Sequence, residues 1–213
     1  MIGADRESAR QRQATLAGMP ARSTTTSTRD VMLDAARDLI AEIGYEAMSH
    51  ADITAAVGMG RTTFYEHFAS KEDMLVELVR RDLPPLMSEL LESVDGSLPP
   101  DERLRVLGQA TVEFVGTDHI GLILHTEVPR MSHGAQCAIS EAHVGLAKEL
   151  GSIFSDGVEA GLFRDMPPRF AGVMIEGILM TGGRMVMDSK NPSEDVHGIA
   201  KLSADTLVAA LRP

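Results

Sequence analysis

Apolar residues recur at three- and four-residue spacing along nearly the whole chain beyond residue 27, and no segment shows the strict alternation of a half-buried strand. The first run, between residues 32 and 43, places its apolar side chains on one face of a helix and stops at Gly44. Glycine and proline then interrupt the pattern at intervals without replacing it. The spacing therefore predicts an all-α chain.

Two short helices are expected after the first one, over residues 50–57 and 61–68, separated by a glycine-containing turn. Ser70 has the position of an N-cap for a longer helix, which the consecutive prolines Pro84 and Pro85 are expected to kink or end. The pattern then predicts further helices over residues 86–94, 100–116, 118–130, 133–160, 167–189 and 193–211.

The chain is expected to comprise a flexible, mildly basic arm over residues 1–26, a small helical bundle over 27–75 and a larger helical bundle over 76–213. The net charge of −11 disfavours nucleic acid as a partner. However, residues 1–29 carry five arginines against two carboxylates, whereas residues 86–213 carry 10 basic against 18 acidic residues. Since the acid lies mostly in the C-terminal part, a locally basic face can still bind phosphate.

The composition also points to a compartment. A single cysteine, Cys137, excludes an intrachain disulfide and favours a reducing environment. The first residues lack the apolar run of a signal peptide, and Glu176 interrupts the best candidate for a membrane span. We therefore expect a cytoplasmic protein without a membrane partner.

Residues 49–68 have the layout of a helix-turn-helix, in which two short helices are joined by a glycine-containing turn and the second helix enters the major groove of DNA. Gly58 can supply the left-handed conformation that such a turn needs. Phe64 and Phe68 lie four residues apart, so both can be buried on one face of the second helix. The polar residues of that helix are then left on the opposite face.

The outward residues carry side chains that suit DNA. Arg61 can read a guanine edge through two hydrogen bonds, and Thr62 and Thr63 offer hydroxyl and methyl groups to bases or phosphates. Other hydroxyl, imidazole and ammonium groups nearby can donate to phosphate oxygens. Ser49 could instead serve only as the cap of the helix that follows it. The candidate DNA-binding residues are Ser49, Arg61, Thr62, Thr63, Tyr65, His67 and Lys71.

A resemblance to a known family is carried by residues 44–75, which read GYEAMSHADITAAVGMGRTTFYEHFASKEDML. This run is similar to the DNA-binding region of the tetracycline-repressor (TetR) family of bacterial transcriptional regulators. The resemblance implies an N-terminal three-helix DNA-binding domain, a larger C-terminal ligand-binding and dimerisation domain, and DNA contact by the seven candidate residues. The run departs from the family's pattern at His50 and Gly60, where an apolar residue and a capping serine are common. The matching positions are Gly44, Ile53, Gly58, Tyr65, His67, Phe68 and Lys71, with Arg29, Ala35 and Ala36 upstream.

The last two predicted helices, over residues 167–189 and 193–211, each carry an apolar stripe. The resemblance implies that this pair packs against its symmetry mate, so that a homodimer presents two recognition helices to a palindromic operator in double-stranded DNA. Packing of both stripes within one chain is the alternative. The expected partners are therefore operator DNA, a second copy of the chain and a small-molecule effector.

An effector pocket is expected among the middle helices. The interior is rich in methionine and poor in aromatic residues, which suits an apolar or aromatic ligand. Plain core packing is the alternative role for each lining residue. The candidate lining residues are Phe114, Leu122, His125, Met131, Cys137, His143, Phe154, Met174 and Ile178.

A metal site is the sharper alternative, because His133, Cys137 and Glu141 fall at four-residue spacing with His143 close by. No CxxC or HExxH signature supports it, so neither a metal nor a cofactor is expected. The chain also lacks a Walker loop, a nucleophile elbow and paired carboxylates, which argues against an enzyme. The rival classes are an enzyme using the C-terminal cavity and a ligand-free helical binding protein. The sequence predicts a ligand-responsive regulator, most simply a repressor released from its operator by the ligand, with activation left open.

Overall fold

The computed structural model describes residues 27–213, and the expected arm over residues 1–26 lies outside that range. No strand occurs among the residues described, so this part of the fold is all-α, as predicted. The helices are α1 (Thr28–Ile43), α2 (His50–Ala56), α3 (Arg61–His67), α4 (Lys71–Glu92), α5 (Pro100–Thr117), α6 (His119–Thr126), α7 (His133–Ala142), α8 (Val144–Glu159), α9 (Pro168–Met187) and α10 (Pro192–Leu211), with a short 3-10 turn (Val128–Arg130) between α6 and α7.

The two short helices α2 and α3 are separated by a turn that requires glycine. Gly58 has φ of +67°, a conformation in which a residue with a Cβ is strained. Upstream, Ser49 and Asp52 form a reciprocal capping box that starts α2. The predicted helix-turn-helix layout is therefore present.

A shared apolar core holds α3 against α1 and α4. Phe64 and Phe68 are 0% and 1% exposed and belong to the same buried cluster as Met32 and Ile40 of α1. The guanidinium of Arg29 lies over the Phe68 ring, 5.2 Å from its centroid. The two phenylalanines therefore fix which side of α3 faces outward.

Of the two predicted effects of Pro84 and Pro85, ending the helix is wrong, because α4 runs through both prolines from Lys71 to Glu92. A kink at this point stays a prediction. Each proline removes one helical hydrogen bond, which normally disfavours an interior position. Here both prolines are exposed, while Leu83 and Met87 on either side are buried. Burial of the apolar face thus maintains the helix across a locally unfavourable sequence.

The predicted helices over residues 118–130 and 133–160 are each divided. The first is α6 followed by the 3-10 turn, and the second is interrupted at His143, which ends α7 and precedes α8. No proline marks this second break, and Gly145 lies within the first turn of α8 rather than between the two helices. Instead, α7 packs on α4 whereas α8 packs mainly on α5, so tertiary packing sets the direction of each helix.

The described chain has two buried clusters. One contains the helix-turn-helix core and continues into Ile120 and Ile123 of α6 and Ala135 and Ile139 of α7. The other joins α5, α8, α9 and α10. A division after residue 75 stays a prediction, and the first core extends well beyond that point.

Close helix contacts build the second cluster. A Cβ added at Gly116 of α5 would lie 2.5 Å from Cβ of Val186 on α9, so only glycine permits this approach. Gly182 and Gly183 of α9 are also buried within the chain. These two glycines therefore permit close helix approach within the chain.

By length and composition, α9 is the one helix among the described residues that could cross a membrane, contrary to our expectation that Glu176 excludes such a segment. A single such helix is weak evidence, since core helices pass the same test. α9 packs along α5 and α10, which explains part of its apolar character.

Candidate nucleic-acid interface and adjoining cavity

The outward face of α3 is polar. Arg61, Thr62 and Tyr65 are exposed, and Tyr65 retains 51% of its accessible surface. Thr63 and His67 are half-buried at the edges of this face. These five side chains therefore lie where a DNA groove could meet them, and their contact with DNA stays a prediction.

Ser49 has the capping role that the sequence left open. Its hydroxyl accepts from the Asp52 backbone N–H at 3.3 Å and donates to the Asp52 carboxylate at 2.7 Å. The Asp52 carboxylate also accepts the backbone N–H of Ser49 at 2.8 Å, and these bonds lower the pKa of Asp52. Ser49 is thus committed to the start of α2, although it stays exposed.

Lys71 makes hydrogen bonds within the chain, and its expected role as a phosphate donor stays a prediction. Its ammonium donates to the carbonyls of Tyr45 at 2.7 Å, Met48 at 3.0 Å and Glu46 at 3.3 Å. It also lies 4.2 Å from the centroid of the Tyr45 ring. An ammonium has three protons, so this group is fully used in closing the connection between α1 and α2.

His50, at the start of α2, packs against the recognition helix. Its ring centroid lies 4.4 Å from that of Phe64 and 5.4 Å from that of Tyr65. Burial lowers the pKa of His50, and the nearby charges of Arg61 and Lys71 lower it further. A neutral imidazole therefore fills the place where an apolar residue is common.

The helix-turn-helix region is more acidic than expected. Residues 27–75 carry four basic against nine acidic residues, so the acid is not confined to the C-terminal part. Several of these carboxylates cap helices or form ion pairs, as Asp34 does with Arg81 at 2.8 Å. The helix-turn-helix region by itself is therefore not a basic surface.

A cavity of about 750 Å³ is lined by the six helices from α4 to α9. Its apolar wall includes Met87, Phe114, Leu124, Phe154 and Leu179. Its polar groups come largely from one face of α7 and its end, where Gln136, Ser140 and His143 follow each other at helical spacing. His143 uses Nδ1 on the Ile139 carbonyl at 2.9 Å, which leaves Nε2 for another partner.

Three of the predicted pocket residues line this cavity: Phe114, His143 and Phe154. Met131 packs instead on the first buried cluster, and Met174 and Ile178 pack on the second. Cys137 is exposed on α7, away from the lining residues of that helix. The side chains of Leu122 and His125 lie outside the described part of the structure.

The alternative metal ligands do not converge. Cys137 Sγ lies 3.7 Å from Nε2 of His133, but the Glu141 carboxylate is directed to Arg80 at 3.7 Å. Among the side chains that the structure describes, no three His, Cys, Asp or Glu residues form a group that could hold a metal ion.

A polar joint connects the start of α4 with the start of α7. Ser132 donates its backbone N–H at 3.1 Å, and also its hydroxyl, to the Glu72 carboxylate. Gln136 donates its side-chain amide to the carbonyls of Pro129 at 3.3 Å and Met131 at 3.1 Å. Since Gln136 and Pro129 also line the cavity, this joint links the cavity wall to the DNA-binding helices.

The last two helices expose apolar side chains. Phe170, Val173 and Met185 of α9 retain 62%, 63% and 51% of their surface, and Leu202 of α10 retains 63%. Gly177 and Thr181 continue the exposed face of α9. No other described part of the chain covers this face.

An exposed helix after a glycine turn, followed by a larger all-α body with an apolar cavity, is the architecture of a helix-turn-helix regulator. The profile of bacterial regulatory proteins of the tetR family matches residues 32–78. The HTH-type transcriptional repressor KstR2 of Mycobacterium tuberculosis is 30% identical over 145 residues, covering 65% of this chain and 70% of the relative. The chain belongs to the TetR family of bacterial regulatory proteins, and it is a DNA-binding transcription regulator, not an enzyme.

Other relatives have the same architecture. The fatty acid metabolism regulator protein of Bacillus subtilis is 24% identical over 150 residues, covering 70% of this chain and 77% of that protein. The structure of the regulator FadR from Bacillus subtilis in complex with stearoyl-CoA superposes with a TM-score of 0.70 at 21% identity, covering 85% of this chain and 98% of that one. The structure of AibR in complex with isovaleryl coenzyme A and operator DNA superposes with a TM-score of 0.65 at 24% identity, covering 88% of this chain and 99% of that one.

Replacing the Lys71 ammonium tests its structural role. Lys71→Met should lower the free energy of unfolding by about 1–3 kcal/mol, because three backbone carbonyls lose their donor. Denaturant unfolding measures the change, and Lys148→Met, at an exposed position on α8, is the control. Unchanged stability together with weaker DNA binding and a smaller salt dependence would instead identify Lys71 as a phosphate contact.

Proposed function

We propose that this protein is a cytoplasmic repressor that leaves a palindromic operator when an apolar acyl compound occupies the cavity between α4 and α9. The cavity carries the proposal: it has about 750 Å³ of space, and α4, α6 and α7 contribute both to its wall and to the core under the DNA-binding helices. Ligand sites of this size are usually apolar with a few convergent polar groups.

The distribution of polar groups favours an acyl compound. Gln136, Ser140 and His143 lie at one wall, and Thr111 and Glu176 add polar groups from α5 and α9. The group on α7 suits the polar end of a ligand whose body is apolar. Relatives support this class, since the FadR structure contains stearoyl-CoA and the AibR structure contains isovaleryl coenzyme A. A ring-shaped apolar compound is the second candidate, because the KstR2 structure is that of a ketosteroid transcriptional regulator.

DNA reading is assigned to the outward face of α3. Arg61, Thr62 and Thr63 are the proposed base-reading residues, and Tyr65 and His67 the proposed phosphate donors. Ser49 and Lys71 act by holding α2 and its preceding connection in place. Because residues 27–75 are acidic overall, the four arginines among residues 1–26 are proposed to add phosphate contacts.

A homodimer through α9 and α10 would bring two copies of α3 to one duplex. Phe170, Val173 and Leu202 are more than half exposed, a state that large apolar side chains rarely hold as a contiguous face in a monomer. A two-fold axis along this pair gives a self-complementary interface. It would place the recognition helices about one turn of DNA apart, or somewhat more.

The polar joint supplies a route from cavity to DNA. An effector that binds best to another arrangement of the cavity wall around Gln136 and Pro129 would shift the neighbouring Ser132. Because Ser132 is hydrogen-bonded to Glu72, Glu72 would move as well. Glu72 follows Lys71, which holds the connection before α2. An effector can change operator affinity only through such a difference in preference, commonly about 1–3 kcal/mol.

Operator binding tests the proposal directly. Fluorescence anisotropy with duplexes covering the region upstream of the protein's own gene should give one duplex with a Kd of about 10⁻⁸ M or tighter and two chains bound. Stearoyl-CoA should raise this Kd by about 5- to 150-fold. A scrambled duplex is the control. Tighter operator binding in the presence of stearoyl-CoA would contradict release, and uniform binding of all duplexes would contradict operator recognition.

Base reading by Arg61 is tested by comparing two substitutions in α3. Arg61→Ala should weaken operator binding by about 1–3 kcal/mol and relax specificity at one base pair. Tyr65→Phe should weaken operator and random DNA alike, since a phosphate contact carries no sequence information. Equal losses on both DNAs for Arg61→Ala would remove the base-reading role.

Coupling through the joint is tested with Glu72→Gln and Ser132→Ala. Each should reduce the factor by which stearoyl-CoA changes the operator Kd, while equilibrium dialysis shows unchanged stearoyl-CoA binding. Ser88→Ala, an exposed α4 serine bonded only to Glu92, is the control. If both joint variants respond to stearoyl-CoA as the wild type does, the signal takes another route.

A further inference from the structure

A second, shallower cleft adjoins the apolar cavity. It has about 410 Å³ of space and is lined by Thr126, Pro129, Arg130, Arg184, Met187 and Asp188. Pro129 also lines the large cavity, so the two spaces meet at the 3-10 turn between α6 and α7. The cleft and the cavity are therefore adjacent, with Pro129 in the lining of both.

The cleft has an unusual charge for its surroundings. Residues 86–213 carry 10 basic against 18 acidic residues, and Arg103 and Arg105 form close ion pairs within the bundle. Arg130 is different, since its side chain is 70% exposed and its ion pair with Glu127 is long, at 4.0 Å. Together with Arg184, it brings two guanidinium groups to one depression that contains a single carboxylate, that of Asp188.

Paired guanidinium groups beside an apolar cavity suit an anionic head group. The planar fork of arginine matches phosphate through two parallel hydrogen bonds. The Thr126 side chain adds a hydroxyl group to the same cleft. A compound with an apolar body and a phosphate-bearing end fits this pair of spaces better than an uncharged hydrocarbon does.

We propose that the cleft at Arg130 and Arg184 binds the phosphate-bearing part of the effector while the acyl chain fills the cavity. This inference rests on the proposed function for the apolar part only. The coenzyme A end of an acyl thioester is the head group of the required chemistry. Arg130 ends the 3-10 turn two residues before Ser132, so a phosphate held there acts on the polar joint directly.

Two thioesters with the same acyl chain distinguish binding at the head-group site from binding in the cavity. Stearoyl-CoA carries phosphates, whereas the stearoyl thioester of N-acetylcysteamine carries none. Their binding to the full-length protein is measured by equilibrium dialysis with labelled acyl chains, below micelle-forming concentrations. The wild type should bind the coenzyme A ester more tightly by about tenfold or more, a difference that shrinks as salt is raised.

The variants Arg130→Gln and Arg184→Gln, alone and combined, should lose this preference while binding the N-acetylcysteamine ester within about twofold of the wild type. Arg212→Gln, an exposed arginine at the C-terminal end of α10, is the matched control and should leave both affinities unchanged.

Equal binding of the two esters by the wild type would overturn the head-group site and leave the acyl cavity standing. Equal weakening of both esters in the variants would also overturn it, because the arginines would then act on the cavity itself. Failure of the wild type to bind either ester would overturn the proposed acyl effector and the head-group site together.

Discussion

The burial of Phe64 and Phe68 decides where every other side chain of α3 points. A helix of seven residues cannot hold its own conformation in water, so its position comes from tertiary packing. Each buried phenylalanine contributes roughly 1.5–3 kcal/mol, which is a large fraction of the stability of an ordinary domain. Arg61 and Tyr65 are exposed because the opposite face of the same helix is packed into the core.

The helix-turn-helix was predictable from sequence because local chemistry and tertiary structure agree there. Gly58 takes the left-handed conformation that its position requires, and Ser49 caps α2. Elsewhere tertiary contacts override local signals. Pro84 and Pro85 lie within a continuous helix because buried neighbours hold it, and α7 ends at His143 although no proline lies there and Gly145 is already part of α8. Sequence rules on helix ends consider a segment in isolation, whereas in the folded chain these segments pack against other helices.

The cavity was harder to predict than the DNA-binding face. A cavity is present among the middle helices, and its use by an effector stays a prediction. The choice of lining residues depends on the rotation of each helix about its axis. On α7, Gln136 and Ser140 line the cavity whereas Cys137 is exposed. Lys71 illustrates the same difficulty, since its three carbonyl partners lie 23 to 26 residues earlier in the chain. The amino-acid composition predicts an apolar interior, but it does not predict which residues line a cavity.

The proposed effector cavity and the DNA-binding helices share one packed core, which constrains how the protein could respond to an effector. Ile123 of α6 and Ile139 of α7 lie in the same cluster as Phe64, so no hydrophobic boundary isolates the cavity wall from the recognition helix. Packed interiors resist small volume changes and respond by shifting whole elements. The exposed prolines of α4 reduce its internal hydrogen bonding between the helix-turn-helix and Met87 at the cavity. A shift of α6 and α7 is therefore expected to reach α3 through both the core and the Glu72–Ser132 joint, with α4 bending rather than transmitting it as a rigid rod.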